Sequence, residues 1–255
     1  MTADRHAAVA RIPILHRDEH YIVVDKPAGL LVHRTAVDAR ESQSLLQLLR
    51  NQIGCRVYPV HRLDKGTSGV VVFALHAEAA NRLSRAFRDA RVDKHYLAVV
   101  RGYAPEQGVI DWPLRDVIER RSRRPATLRP AVTEVRRLAL VELSTPVGCY
   151  ATARYSLVAC RPRSGRRHQI RRHLKHLRHP VIGDANYGDL VHNRFFRHTL
   201  GVGRLLLAAT EIGFEHPYAA TELRVAAPLD ESFRRIFQEL GWNTPVGELV
   251  AGSDL

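Results

Sequence analysis

Residues 61–75 read HRLDKGTSGVVVFAL. A carboxylate, Asp64, stands ahead of a tight polar turn that runs straight into VVVFAL (70–75). That run is too short and too β-branched for a helix, so a buried strand is expected there. Asp64 itself has two readings. Asp before Lys-Gly is a common turn residue whose side chain bonds backbone amides two residues on, which would make it punctuation. Against this stand its place between Arg62 and a strand, and the basic and aromatic groups elsewhere in the chain.

Outward from this strand, short strands and helices alternate with no internal repeat and no low-complexity linker, a mixed α and β pattern. YIVVDKPAGLLVH (21–33) reads as a strand, a Pro-Ala-Gly turn and a second extended piece. SLLQLLRNQIG (44–54) has helical apolar spacing and a terminal Gly. From Glu78 to Val92, Ala79, Leu83, Phe87 and Ala90 hold one face while Arg82, Arg85, Arg88 and Arg91 hold another, an amphipathic helix with a basic outer stripe. HYLAVVRG (95–102) returns as a strand, and further strands are expected near residues 131–143 and 151–160. The basic, proline-bounded segment 113–130 reads as a mobile loop or a short hairpin.

A chain of 255 residues with 45% hydrophobic content has ample material for a core without covalent staples. The three cysteines, Cys55, Cys149 and Cys160, are odd in number and lack C-x-x-C spacing, so reduced buried thiols and a cytoplasmic setting are expected. The N-terminal MTADRHAAVARIP has no apolar core of a leader, and no run approaches the roughly 20 apolar residues of a membrane span. Neither export nor membrane insertion is expected.

Lys plus Arg number 39 against 26 Asp plus Glu, a net charge of +13, and most of the excess is arginine. A polyanionic partner is implied. Residues 161–179, RPRSGRRHQIRRHLKHLRH, hold seven Arg, one Lys, four His and no acid, whereas a solvated helix face mixes signs. Ile170, Leu174 and Leu177 at i, i+4 and i+7 bury one side of a helix expected to begin after Gly165 and end at His179-Pro180. Arg171 sits at the edge of that stripe, where a guanidinium could point inward at a carboxylate; a surface arginine is the plainer alternative.

HRLDKGTSG, KHYLAVVRG about thirty positions later, and SGRRHQIRRHLKHLRHPVIGD together resemble the RluA-type family of RNA pseudouridine synthases. VVDKPAGLLVH and RLLLAATEIGFEHP also fit, so the resemblance runs from about Ile14 to about Trp242. LVHRTAVD, PAVTEVRRL and RRHLKHLRHPVIGD look closest to the branch acting on uridine 65 in the T-stem of tRNA. One departure is Ala208, where the family often has His after R-L-x-L. The resemblance implies an α+β fold: a bent, mixed and mostly antiparallel sheet, flanked by helices and loops around a basic cleft. It also implies one catalytic domain over residues 1–255 with no separate S4-type RNA-binding domain, acting as a monomer.

The implied reaction breaks the N-glycosidic bond of a flipped uridine, turns the uracil over and reattaches C5 to C1′, with no cofactor and no metal. It needs one ionised carboxylate near C1′ and C2′, as nucleophile or as base. By resemblance Asp64 is that group, Arg171 of H-Q-I-R keeps it charged, and Tyr96 stacks on the uracil and takes the C5 proton. Arg62 is the candidate to fill the gap left by the flipped base, with a phosphate contact as its alternative. His61 is either part of the RNA surface or a packed histidine shaping the turn. Thr67, Ser68 and Gly69 are expected to tighten the loop. Arg166, Arg167, Arg172, Lys175 and Arg178 complete the expected RNA-binding set.

His168, His173, His176 and His179 raise a zinc alternative, but they lack the paired spacing with an adjacent Glu of helical zinc sites. GTSG lacks the Lys-Ser/Thr ending of a phosphate-binding loop. The remaining alternatives are a synthase acting on ribosomal RNA and a non-catalytic basic RNA-binding module.

Overall fold

The computed structural model describes residues 11–33, 43–116 and 127–242. In chain order these form β1 (Ile14–Arg17), β2 (Tyr21–Lys26), α1 (Leu45–Ile53), β3 (Tyr58–Pro59), β4 (Ser68–Ala74), α2 (Ala77–Arg88), β5 (Val92–Arg101), β6 (Gln107–Asp111) and β7 (Leu114–Arg115). There follow β8 (Leu128–Arg129), β9 (Val132–Leu143), β10 (Ala153–Pro162), α3 (Gln169–His176), α4 (Leu190–His198), β11 (Leu207–Glu215), β12 (Glu222–Ala226) and α5 (Glu231–Glu239). Ten strands share one sheet in the order β1-β2-β4-β11-β5-β10-β9-β6, with β3 joined to β4 and β12 to β11, while β7 and β8 pair separately. Every pairing is antiparallel except β4 with β11. The architecture is α+β.

β4 is buried along its whole length because helices cover both its faces. Val70 and Val72 pack with Ala79 and Leu83 of α2, whereas Val71 and Phe73 pack with Leu45 and Leu49 of α1. At the other end of the sheet, α4 and α5 bury Phe196, Phe233 and Ile236 against Leu97, Tyr155 and Leu157. On the opposite face, α3 buries Ile170 and Leu174 against Ala98, Val158 and Cys160.

The parallel contact fixes the turn at Asp64. Ser68 and Gly69 pair with Ala208 and Ala209. Gly69 has φ +106°, and a Cβ there would stand 1.9 Å from the Ala209 carbonyl oxygen. Only glycine lets the strands meet so closely.

Several expectations from the sequence are corrected. The second extended piece after the Pro-Ala-Gly turn is not a strand: the carbonyls of Leu31 and Val32 accept from Leu45 N–H and Leu46 N–H, so they serve the start of α1. α2 stops at Arg88, and Ala90 is exposed at φ +55° because the chain must reverse before β5. α3 begins at Gln169 rather than after Gly165, with His168 at φ 57° as its N-cap, and Arg178 lies past its end at φ +64°. Cys55 and Cys149 are exposed, and only Cys160 is buried, its thiol pushed up to about 12 by burial. In the 113–130 segment, β7 and β8 form the base of a hairpin; residues 117–126 lie outside the described residues, as do 34–38 of the LVHRTAVD stretch.

Candidate functional site

The 64–67 turn is closed by backbone, not by the Asp64 side chain. Thr67 N–H donates to the Asp64 carbonyl at 3.1 Å, and Gly29 N–H to the Lys65 carbonyl at 2.8 Å. Lys26, fully buried at the end of β2, donates to the carbonyls of Pro27 and Leu30 at 2.8 Å and of Lys65 at 3.3 Å. Burial pushes its ammonium down to about 7, against which three acceptors hold three protons. Arg204 grips the start of β4 through the Ser68 hydroxyl while pairing with Asp230. These bonds close the turn without using the Asp64 carboxylate.

That carboxylate meets α3. Arg171 Nη1 donates to Asp64 Oδ2 at 2.9 Å, and His168 Nε2 stands 3.8 Å from Asp64 Oδ1. The other edge of the guanidinium is clamped by Asp184, Nε to Oδ2 and Nη2 to Oδ1, both at 2.7 Å. Burial alone would lower the charge of Arg171, but the two carboxylates more than offset it and hold the guanidinium above its ordinary range. Asp184 is likewise held ionised against its burial by Arg171 and the amides of Asn186 and Tyr187.

Asp64 lines a cleft of about 730 Å³, within the range of small-ligand sites. It is the single acid on that lining among the described residues, surrounded by Arg62, Arg88, Lys94, Arg163, Arg166 and Arg167, with Tyr96 inside. Burial, and then the nearby Asp64 charge, raise the Tyr96 phenol above its ordinary value, so its ring lies in the cleft neutral, as stacking on an uncharged base requires.

The remaining expected residues separate. Arg62 is exposed at the cleft. His61 accepts from Val72 N–H at 2.9 Å and stacks on Phe87, and burial, followed by the charge of Lys94, lowers it to about 3. It is a packed histidine, not a cationic RNA contact. Arg166 and Arg167 reach the cleft, with Arg166 Nε also donating to the Pro130 carbonyl. Arg172 is spent on the Arg115 carbonyl of β7, while Lys175 and Arg178 are exposed outside the cleft. Of the expected basic stripe, Arg82 on α2 pairs with Glu78, and Arg91, past the end of that helix, pairs with Asp89. The four histidines of the basic segment have separate partners: His168 the Tyr187 hydroxyl, His173 Thr133 and the Trp112 carbonyl, His176 the Trp112 ring, and His179 the Arg101 carbonyl.

Sequence reasoning missed Lys26, Asp184, Tyr187 and Arg204. Each lay in a quoted stretch or beside one, yet its partner is set by the fold.

The profile of the RNA pseudouridylate synthase family matches residues 20–176. The chain is 45% identical over 235 residues to tRNA pseudouridine synthase C of Haemophilus ducreyi, covering 91% of this chain and 97% of that one. It is 43% identical to the protein of the same name from Vibrio cholerae, covering 91% and 96%. Among solved structures, human RNA pseudouridylate synthase domain containing 4 superposes with TM-score 0.69 at 26% identity, covering 90% of this chain and 93% of that one.

Proposed function

The chain belongs to the RNA pseudouridylate synthase family, and from that premise we propose that it isomerises a uridine of tRNA, in the T-stem, to pseudouridine, with Asp64 as the reacting carboxylate. The observation that carries this reading is a carboxylate, the single acid among the described residues on the lining of a basic cleft, bound through one oxygen by a buried arginine. A surface that only bound RNA would gain nothing from an acid at its centre, which repels phosphate.

The target base leaves its helix at a cost of roughly a few kcal/mol. Arg62, exposed at the rim, fills the space it vacates. Phosphate contacts from Arg88, Arg166 and Arg167 hold the strand, and the neutral Tyr96 ring stacks on the extruded uracil. The Asp64 carboxylate then acts at C1′ as nucleophile or at C2′ as base, oriented by the Arg171 Nη1 donor on its Oδ2. The uracil turns over in the cleft, C5 bonds to C1′ as the Asp64 bond to C1′ breaks or the C2′ proton returns, and the C5 proton passes to Tyr96 or solvent while N1 takes one up. The isomerisation balances without an added reactant.

The test is to incubate the protein with unmodified tRNA and ribosomal RNA transcripts and to map pseudouridine in both. Product at one T-stem uridine of tRNA is expected. Product confined to ribosomal RNA would remove the tRNA assignment, and product in neither would remove the enzyme.

A further inference from the structure

The two oxygens of Asp64 are served differently, and both arrangements trace to one loop. Arg171 is shared by two carboxylates on unequal terms: Asp184 takes two of its N–H groups at 2.7 Å and leaves one for Asp64 at 2.9 Å. Asp184 is tied further to its own loop, since its Oδ1 also accepts from Asn186 N–H at 2.9 Å and Tyr187 N–H at 3.0 Å. Without it, the guanidinium would be free to turn and grip Asp64 through both oxygens, the preferred fork geometry for such a pair. A carboxylate gripped that way is quenched as nucleophile or base.

The second oxygen faces His168. The Tyr187 hydroxyl lies 3.1 Å from His168 Nδ1, and Nε2 lies 3.8 Å from Asp64 Oδ1. An anion opposite Nε2 favours the tautomer with its proton there, which requires the hydroxyl to donate to Nδ1. The Tyr187 ring also lies 5.2 Å from the Arg171 guanidinium carbon.

The loop itself is braced. Gly183 has φ +77°, and a Cβ there would stand 1.8 Å from the Arg204 carbonyl oxygen. Asn193 accepts from Gly183 N–H at 2.7 Å and donates to the Asp184 carbonyl at 3.0 Å. Gly188 N–H closes the loop on the same carbonyl at 3.1 Å.

We propose that residues 183–188 form a positioning loop that sets both neighbours of the Asp64 carboxylate, Asp184 acting through the Arg171 donor on Oδ2 and Tyr187 acting through the His168 ring that stands 3.8 Å from Oδ1. The inference rests on Asp64 being the reacting carboxylate. The loop leaves Asp64 singly bound on Oδ2, with Oδ1 open to the ribose.

The experiment uses full-length Asp184→Asn and Tyr187→Phe proteins with an unmodified tRNA transcript. It reads single-turnover rate against pH at saturating enzyme, tRNA affinity and melting temperature. Around Asp64 the charged and titratable groups are Arg171 from α3, His168 at its N-cap, Tyr96 from β5, Lys26 from β2 and the cleft cations named above. Asp184→Asn gives Asp64 the undivided cation, so the rate should drop by about 10²-fold and the acid-side fall in activity should move to lower pH. Tyr187→Phe keeps the ring and removes the tautomer lock, so its rate should fall by about 3- to 10-fold and its acid-side fall should move to higher pH. Affinity should stay within about twofold in both, since neither change removes a proposed RNA contact.

Opposite pH displacements support the loop's role. Rates within twofold of wild type with an unmoved acid limb overturn it, as does a loss confined to affinity. If Asp184→Asn does not fold, Tyr187→Phe decides by the same criteria. A wild-type protein that makes no pseudouridine overturns the functional reading and this one with it, whereas active wild type with unaltered variants overturns this one alone.

Discussion

At the scale of single residues, Asp64 and Arg171 carry distinct expectations. Asp64→Asn keeps the size of the side chain, and the turn is closed by the residue's own carbonyl, so the fold should survive. RNA affinity should hold while single-turnover product formation falls at least about 10³-fold; turnover within roughly tenfold of wild type, only about 1.4 kcal/mol of barrier, would falsify the assignment. Arg171→Met is more damaging than its catalytic role alone implies. It strips the cation from Asp184, whose side chain has no exposure, as well as from Asp64. Breaking such a buried pair costs about 3–5 kcal/mol, so a lowered urea midpoint should accompany the lost activity. A variant as stable as wild type would contradict the pairing. The sequence placed Arg171 at the edge of the apolar stripe of its helix, from which an inward guanidinium followed. It gave no sign that Asp184 would take the larger share, because that depends on how the chain doubles back after α3.

At the scale of elements, the basic run of residues 161–179 divides into structural and free cations. Arg161 pairs with Asp93, Arg163 with Glu134 and Arg171 with Asp64 and Asp184, so acids distant in sequence neutralise much of what looked unopposed. Lys175 and Arg178 remain exposed. Each of the reversals Lys175→Glu and Arg178→Glu should reduce the slope of log affinity against log salt by about 0.7 to 0.9, and an unchanged slope in both would move the RNA surface off this helix. The contact between β4 and β11 makes a separate prediction. Gly69→Ala forces a Cβ into the Ala209 carbonyl at a positive φ, so a loss of about 3 kcal/mol or more is expected by urea denaturation. A midpoint within experimental scatter of wild type would show that the strands can separate there.

For the whole molecule, buried histidines set a pH dependence. His61 falls to about 3 from 6.5, chiefly through burial, and His168, His173 and His192 are lowered in the same direction. The unfolded chain therefore binds these protons first. Stability from His61 is fully present above pH 6.5 and lost as pH falls from there toward about 3, at up to about 1.4 kcal/mol per pH unit. Urea midpoints should drop between pH 7 and pH 5, and less steeply in His61→Gln, whose amide oxygen still accepts from Val72; a midpoint that rises on acidification would reverse the sign. Local pattern in the sequence was enough for the β4 strand, α1 with its closing Gly54, the long β9 and β10, and the excess of cations, because alternation, helical spacing and charge are properties of neighbouring residues. The motifs added Asp64, Tyr96 and Arg171 through resemblance. Only the tertiary structure decided that α2 ends before Ala90, that His61 packs rather than binds, and that Lys26, Arg204, Asp184 and Tyr187 brace the site. The physical reason is that a hydrogen bond or ion pair needs its partner within about 3 Å, and the partners of these residues are brought there by sheet pairings and loop closures that no local window of sequence contains.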